Sequence, residues 1–215
     1  MVHSTIQIIT YLILVILTSS CTLRGVETNT ERNINFEFHD GDIAFRRGSG
    51  LVSHAVIIAS NRGYHSHVGI IVELDSTYYV IHEVPYEGRN RKEDKIYCQP
   101  INQYYKPQLA DVGTVYRITL DTLQRAQIRN YLLAQLQNET PFDHDYNLED
   151  TTHQYCCELV WNAYKRANID LTQGRRTQVD IIPFNGTYIM PSDIEENPTL
   201  TPIYSINDTT QIIQK

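Results

Sequence analysis

Two adjacent cysteines, Cys156 and Cys157, lie at the start of a segment with the pattern of an amphipathic helix. Apolar residues follow Cys156 at the spacing of one helix face, namely Leu159, Val160, Ala163, Tyr164 and Ala167. This spacing predicts that Cys156 lies in phase with the buried stripe. Cys157 is expected about 100° further round the helix, near Trp161.

The residues before the cysteines indicate where this helix begins. Asp150, Thr151 and Thr152 are typical helix-start residues, and Gln154 follows Thr151 at the spacing of a capping box. Cys156 is then expected in the first turn or just past it. Unpaired N–H groups and the helix dipole there favour a thiolate and can hold an oxyanion. The pattern predicts a nucleophile, although a cysteine in a helix is more often part of a core.

A thiolate nucleophile needs a base, and two neighbouring strands offer one. His67 begins the strand "HVGIIVEL", and Glu83 lies in the next strand, "TYYVIHEVP". If the connecting loop has an odd number of residues, His67 faces Glu83 and His82 points away, whereas a one-residue slip separates the pair. Gly69 leaves room for another element to approach, as the helix with the nucleophile would. The alternative is a surface His and Glu on a half-exposed hairpin.

The elements around these residues indicate an α+β fold. Strand-like runs "DGDIAF", "KIYCQPI" and "TVYRITL" accompany the hairpin, and helix-like runs are "LVSHAVIIAS" and Asp121 to Gln137. Strands thus cluster between helical segments and do not alternate with them as in βαβ units.

Length and charge narrow the class of protein. The chain has 215 residues, which suits one domain after removal of an N-terminal segment. Its net charge is −7, and its Lys and Arg residues are scattered apart from pairs such as Arg46-Arg47. A nucleic-acid partner is therefore not expected, and the arginine pairs are interpreted as solvated surface.

The N-terminus has an apolar run, Ile6–Leu17, that ends shortly before Cys21. The run is too short to span a bilayer and resembles the signal of a bacterial lipoprotein. It lacks a preceding Lys or Arg, so lipidation at Cys21, plain cleavage and an uncleaved anchor all remain open. We predict a signal peptide over 1–20, a polar tether over 21–35 and a domain over 36–215.

The other three cysteines, Cys98, Cys156 and Cys157, cannot all pair within the chain, so at least one free thiol is expected. They lack the spacing of a structural zinc site. We predict no metal and no cofactor.

Six motifs in one order carry a resemblance to a known family. They are "DGDIAFRRGSGLVSHAVI", "YHSHVGIIV", "YYVIHEVP", "TPFDHDYNLED", "YCCELVWNAYKRA" and "IMPSDI". The sequence resembles the YiiX/YebB-like permuted papain-like cysteine hydrolases, relatives of the NlpC-type hydrolases. The family's histidine matches His67, its glutamate Glu83 and its nucleophile Cys156, while Cys157 stands where relatives have Ser or Thr.

The resemblance implies a circularly permuted papain-like fold and a catalytic triad. Cys156 would attack an acyl carbon, His67 would take and return the proton, and Glu83 would hold the imidazole.

Three further residues near the triad are secondary candidates. Tyr155, with the amide of Cys156, could form an oxyanion site or only pack beside the helix. Asp143 and Tyr146 match a family segment and could line the cleft or fix a loop.

The function implied is an amidase of the bacterial cell envelope that cleaves a peptide or an N-acyl amino acid. A lipid acyltransferase or thioesterase with the same triad, or an idle ligand-binding lipoprotein, are the alternatives. The expected partners are this substrate and a membrane, reached through a lipid anchor, and the alternative location is the soluble periplasm.

Overall fold

A six-stranded antiparallel sheet forms the centre of the structure, with strand order β4-β3-β2-β1-β5-β8. The computed structural model describes residues 32–60, 63–85, 94–182 and 184–207. The strands are β1 (Ile43–Arg47), β2 (His67–Leu74), β3 (Thr77–Val84), β4 (Lys95–Pro100), β5 (Val112–Arg117), β6 (Thr177–Val179), β7 (Gly186–Tyr188) and β8 (Thr201–Asn207). The helices are α1 (Leu51–Ser60), α2 (Ile101–Tyr104), α3 (Thr122–Gln137), α4 (Cys156–Arg166) and α5 (Pro191–Glu195). The predicted α+β class is confirmed, and β6 and β7 form a separate hairpin.

Each face of the sheet has its own apolar core, because side chains alternate between faces along a strand. Helices α3 and α4 cover one face, where Val68, Ile70 and Ile81 are fully buried. The other face buries Tyr104 and Tyr105, whose hydroxyls donate to backbone carbonyls of β1. A side chain on β2 or β3 therefore enters one core or the other according to its register.

The β2–β3 hairpin has an even register, so the predicted odd register is wrong. Leu74 pairs with Thr77, and the two residues between them, Asp75 and Ser76, both have positive φ (49° and 60°). This is the geometry of a two-residue type I′ turn, whose twist matches the flanking strands. The ladder pairs Ile70 with Ile81. When the same register is continued to the start of β2, His67 and Glu83 lie on opposite faces of the sheet.

The helix start at α4 also differs from the expected capping box. Tyr155 is the N-cap residue and its side chain caps nothing. Instead Glu158, three residues into the helix, accepts a hydrogen bond from the Tyr155 amide. Asp150 binds the amide and hydroxyl of Thr152 in a local turn. Cys156 is therefore the first residue of the helix.

The described chain begins at Arg32, inside the predicted tether. The Arg32 guanidinium donates to the carbonyl of Ala110 (2.9 Å), and Ile34 packs against the second core. The predicted signal peptide, Cys21 and the rest of the tether lie outside the described residues. Among the residues described, no helix has the length and apolar character needed to cross a membrane.

Candidate active site

Cys156 sits where the first turn of α4 meets the start of β2. Its Sγ lies 3.9 Å from Cys157 Sγ. The pKa of Cys156 is lowered, first by the hydrogen bond from the Cys157 thiol, then by the backbone amides of Val68 and Cys157 and by the charge of Arg46, against the effect of burial. These donors all stabilise the thiolate, which is the nucleophilic form.

The predicted buried stripe from Leu159 to Ala167 is confirmed, but Cys157 belongs to the core, so its expected place off that stripe is wrong. Cys157 is 1% exposed and packs with Val160 and Tyr164, whereas Cys156 is only half-buried. The pKa of Cys157 is raised well above its usual value, first by burial and then by its neighbour Cys156. The two thiols thus have opposite character: one is suited to attack and the other to packing.

His67 is held by a chain of side chains on the face opposite Glu83. Its Nε2 lies 2.9 Å from Nδ1 of His82, and Nε2 of His82 lies 3.2 Å from Oε1 of Gln99. The Gln99 oxygen accepts only, so His82 is protonated on Nε2 and its Nδ1 accepts from Nε2–H of His67. Nδ1 of His67 is then left unprotonated as the basic nitrogen.

The imidazoles of His67 and His82 are both neutral at physiological pH. Burial lowers the pKa of His67 well below its usual value, and the charges of Arg46 and His82 lower it further. Burial and Arg46 also lower the pKa of His82, against the hydrogen bond of Gln99. A neutral imidazole is the form that can accept a thiol proton.

Gly69 makes room for His82, and not for the nucleophile helix as expected. A Cβ at Gly69 would lie 2.6 Å from Cγ1 of Val80 and 2.8 Å from Cβ of His82. The missing side chain lets His82 lie across β2 and reach His67. The expectation that His82 points away from His67 is wrong for the same reason as the register.

Glu83 does not contact His67. It is fully buried on the side of α4, and neither carboxyl oxygen has a hydrogen-bond partner among the residues that the structure describes. Burial raises its pKa to about 10, with further contributions from Cys156, Glu158 and Asp143. An unpaired carboxylate in such a site is unstable, so Glu83 is a neutral carboxylic acid at pH 7.

The secondary candidates lie on the α4 side of the site. Tyr155 is 3% exposed and its hydroxyl accepts from the amide of Ile189 (3.0 Å), so that oxygen is engaged in packing. The Tyr146 ring contacts that of Tyr155 at 5.3 Å. Burial and the nearby Cys156 raise the pKa of Tyr146 to about 12, which keeps its hydroxyl protonated beside the nucleophile.

Asp143 organises the loop before α4. Its two carboxylate oxygens accept from the amides of Asp145 (2.8 Å) and Asn147 (2.6 Å). Asp143 is 3% exposed. Of the two roles left open for it by the sequence, these bonds favour fixing a loop.

Arg46 and Tyr104 also shape the site, although the sequence pattern assigned neither to it. Arg46 is 6% exposed, donates to the Tyr104 carbonyl (2.7 Å) and lies 4.3 Å from the centre of the Tyr104 ring. The interpretation of Arg46 as solvated surface is wrong. Its position in β1 opposite His67, a pairing that only the sheet reveals, brings it to the site.

Within the described ranges, no group of three or more His, Cys, Asp or Glu side chains is arranged to hold a metal ion. Cys98, Cys156 and Cys157 are all free thiols.

Comparisons with known proteins give one family and one fold. Residues 37–204 match the model of the Peptidase_C92 family, described as permuted papain-like amidase enzymes, YaeF/YiiX. The fold is similar to the crystal structure of the metalloprotein yiiX from Escherichia coli O157:H7, with a TM-score of 0.65 and 20% sequence identity. That match covers 80% of this chain and 99% of the other. The comparison with curated proteins gave no match.

Proposed function

The chain belongs to the permuted papain-like amidase family of YaeF and YiiX, and we propose that its catalytic residues are Cys156, His67 and His82. It is a cysteine hydrolase of the amidase type, in which Cys156 is the nucleophile and His67 the base. His82 takes the orienting role that the sequence pattern assigned to Glu83.

One observation carries this assignment. The backbone amide of Val68, the residue directly after His67, contributes to the lowered pKa of Cys156, so the thiol lies near the start of β2. His67 uses Nε2 to contact His82, and this leaves Nδ1 for the thiol proton. The proposed nucleophile thus lies near the strand position that carries the base, and the orienting group contacts the base directly.

The reaction follows from these positions. His67 takes the thiol proton at Nδ1, and Cys156 Sγ attacks the amide carbon. The oxyanion meets the amide of Cys156 in the first turn of α4, which has no acceptor within the helix. The imidazolium then gives its proton to the leaving nitrogen. Water, activated by the same imidazole, hydrolyses the thioester and restores the thiol.

The orienting role falls to His82 because a group must touch the base to hold its tautomer. His82 touches Nε2 of His67, and Gln99 in turn fixes the tautomer of His82. Glu83 has no hydrogen bond and lies on the other face of the sheet. Its neutral form also carries no charge that could stabilise an imidazolium.

The substrate proposed is a peptide or an N-acyl amino acid of the bacterial cell envelope, with the enzyme held there through a lipid on Cys21. The location rests on the apolar run that precedes Cys21 in the sequence. Metabolic labelling with a fatty-acid analogue tests the anchor, because Cys21→Ala should remove the label. A label that survives this change contradicts the anchor without touching the amidase assignment.

The experiment for the catalytic assignment uses alkylation, which needs no known substrate. Wild-type protein treated with iodoacetamide at pH 7 should be modified on Cys156, as read by peptide mass spectrometry. His67→Ala should slow this reaction by at least about tenfold, since the base that accepts the thiol proton is gone. Cys98 is the internal control, because it is a free thiol whose pKa burial raises.

Amide turnover provides the second test. A panel of short peptides and N-acyl amino acids is incubated with wild type and with Cys156→Ala, and released amines are measured. We expect turnover only with the wild type. Equal activity of the two proteins, or alkylation of Cys157 in place of Cys156, contradicts the proposal.

A further inference from the structure

The exposed large apolar side chains are concentrated in one part of the molecule. Of the eight that the described residues contain, one is Leu123 on α3. The other seven form what we call the apolar rim: Leu51, Val52, Ile58, Tyr64, Ile181, Ile182 and Phe184. Leu51 is 90% exposed and Ile182 is 88% exposed. Folded monomers rarely expose such clusters unless a partner or a membrane covers them.

The two halves of the apolar rim are neighbours. Helix α1 packs against β6, and the loop from β6 to β7 carries Ile181, Ile182 and Phe184. Tyr64 follows α1 in the chain and its ring contacts that of His65. The rim is therefore one surface and not two separate patches.

This surface lies beside the proposed active site. Ser53 Oγ on α1 is 2.5 Å from Oγ of Ser66, the residue directly before His67. On the other half, the ring of Tyr188 in β7 contacts that of Tyr146, which reaches Tyr155 beside Cys156. Any partner of the rim is thus held close to the segments that carry Cys156 and His67.

The composition of α1 indicates a bilayer as that partner. The helix reads LVSHAVIIAS, with no Asp, Glu, Lys or Arg, and only Ser60 is buried. A helix without charged residues whose exposed side chains include Leu51, Val52 and Ile58 is unusual at a surface that faces water. With ten residues it is too short to span a bilayer but long enough to lie in its surface layer.

The entry point of the chain fits a surface near the membrane. Arg32 donates to the Ala110 carbonyl, and the next amide, that of Asp111, donates to the carbonyl of Arg47, just before α1. A lipid on Cys21 would be eleven residues from Arg32, a reach of at most about 40 Å. The proposed anchor therefore keeps this side of the domain within reach of the bilayer.

We propose that the apolar rim inserts into the surface layer of a phospholipid bilayer and holds the active site against the membrane. The substrate is then an amphiphilic amide, such as an N-acyl amino acid, that enters the cleft from the lipid. The docking proposal does not depend on the proposed function, whereas the substrate class rests on it.

Hydrogen exchange of the full chain tests the docking locally. The protein is measured with and without zwitterionic phosphatidylcholine vesicles, with vesicle binding checked by flotation. We expect exchange of residues 51–60 and 180–185 to slow at least tenfold on vesicle addition. The α3 segment around Leu123 should not change. A vesicle-bound protein with unchanged exchange in the rim overturns the proposal.

A matched pair of variants tests whether the slower exchange depends on the rim or on exposed apolar side chains in general. Ile58→Ser combined with Ile182→Ser should abolish the slowing, whereas Leu123→Ser, which removes an equally exposed side chain elsewhere, should keep it. Slow exchange already present without vesicles overturns the proposal. The occupant is then a second copy if it depends on protein concentration, or the N-terminal run if it disappears on deletion of residues 1–20.

A last control keeps this proposal apart from the amidase assignment. Cys156→Ala should retain the vesicle-dependent slowing in full, because the nucleophile takes no part in docking. Loss of turnover with intact docking tests only the chemistry. A loss of docking while a soluble amide is still turned over contradicts only the proposal that the rim binds a membrane.

Discussion

Glu83→Gln should make the protein's stability less dependent on pH while leaving catalysis nearly intact. Glutamine has almost the same shape as a protonated glutamate, so the core on the α4 side stays filled. The variant therefore asks one question, which is whether the Glu83 carboxyl is neutral in the folded protein.

The magnitude follows from the two pKa values. The carboxyl has a pKa of about 10 in the folded protein, against an ordinary value of 4.5. Between these values the unfolded chain has released the proton and the folded protein keeps it. The folded state thus binds more protons, and stability falls as pH rises, by about 1.4 kcal/mol per pH unit. Over two pH units the contribution is about 2.7 kcal/mol.

The assay is urea unfolding followed by circular dichroism at pH 5.5, 6.5 and 7.5. Wild type should lose stability relative to Glu83→Gln by about 1.4 kcal/mol at each step. Glu73→Gln is the matched control, because Glu73 is an exposed glutamate in the adjacent strand β2. The free energy of unfolding of Glu73→Gln should change with pH in parallel with that of the wild type.

Two results would refute the reasoning. Parallel pH curves for wild type and Glu83→Gln would mean that Glu83 is ionised or equally protonated in both states. A fall of turnover by about four orders of magnitude, as when a triad carboxylate is neutralised, would return the orienting role to Glu83. We expect turnover within a few-fold of wild type, and a much larger loss for His82→Ala.

Three further changes test neighbouring parts of the structure. Cys157→Ser should keep alkylation of Cys156 but lower stability by about 1 to 3 kcal/mol, since it buries a hydroxyl in an apolar core, as measured by urea unfolding. Gln99→Ala should lower kcat by roughly 10- to 100-fold with little change in KM, because His82 loses the acceptor that fixes its tautomer. Arg117→Ala should cost about 3 kcal/mol in thermal or urea unfolding, because Asp42, 1% exposed, is left buried without its ion pair.

Each of these three predictions has an outcome that would contradict it. For the ion pair, the control is Arg129→Ala, whose partner Asp40 is 24% exposed, so the loss should stay below about 1 kcal/mol. Equal losses for the two arginines would contradict the argument from burial. An unchanged kcat in Gln99→Ala, or an inactive Cys157→Ser that is still folded, would contradict the roles given to those side chains.

Local patterns predicted strands β1 to β5 and helices α1, α3 and α4, but not helices α2 and α5 or strands β6 to β8. The strand beginning at His67 and the helix beginning near Cys156 follow from periodicity within ten residues or so, and both are present. The predicted stripe from Leu159 to Ala167 is buried, but Cys157 joins it while Cys156 is only half-buried. The sheet that packs against α4 decides which of the two thiols lies deeper in the core, and the sequence of the helix alone does not contain that information.

The third residue of the proposed catalytic set could not be read from local patterns for a related reason. His82 and Glu83 are neighbours in one strand, so the choice between them depends only on register. Arg46 and Gln99 reach the site through pairing of β1 with β2 and of β3 with β4, which are contacts between distant parts of the chain. Asp-Ser is a less distinctive type I′ pair than Asn-Gly, so the turn gave no clear sign of its length.

The turn at Asp75 and Ser76 therefore governs the chemistry of a site at the other end of the hairpin, about 25 Å away along an eight-residue strand. If one residue were inserted there and the turn kept its two-residue geometry, β3 would shift by one position relative to β2. Glu83 would then stand beside His67, and His82 would enter the apolar core. The register that this turn sets, and not a side chain near Cys156, thus decides whether His82 or Glu83 lies beside His67.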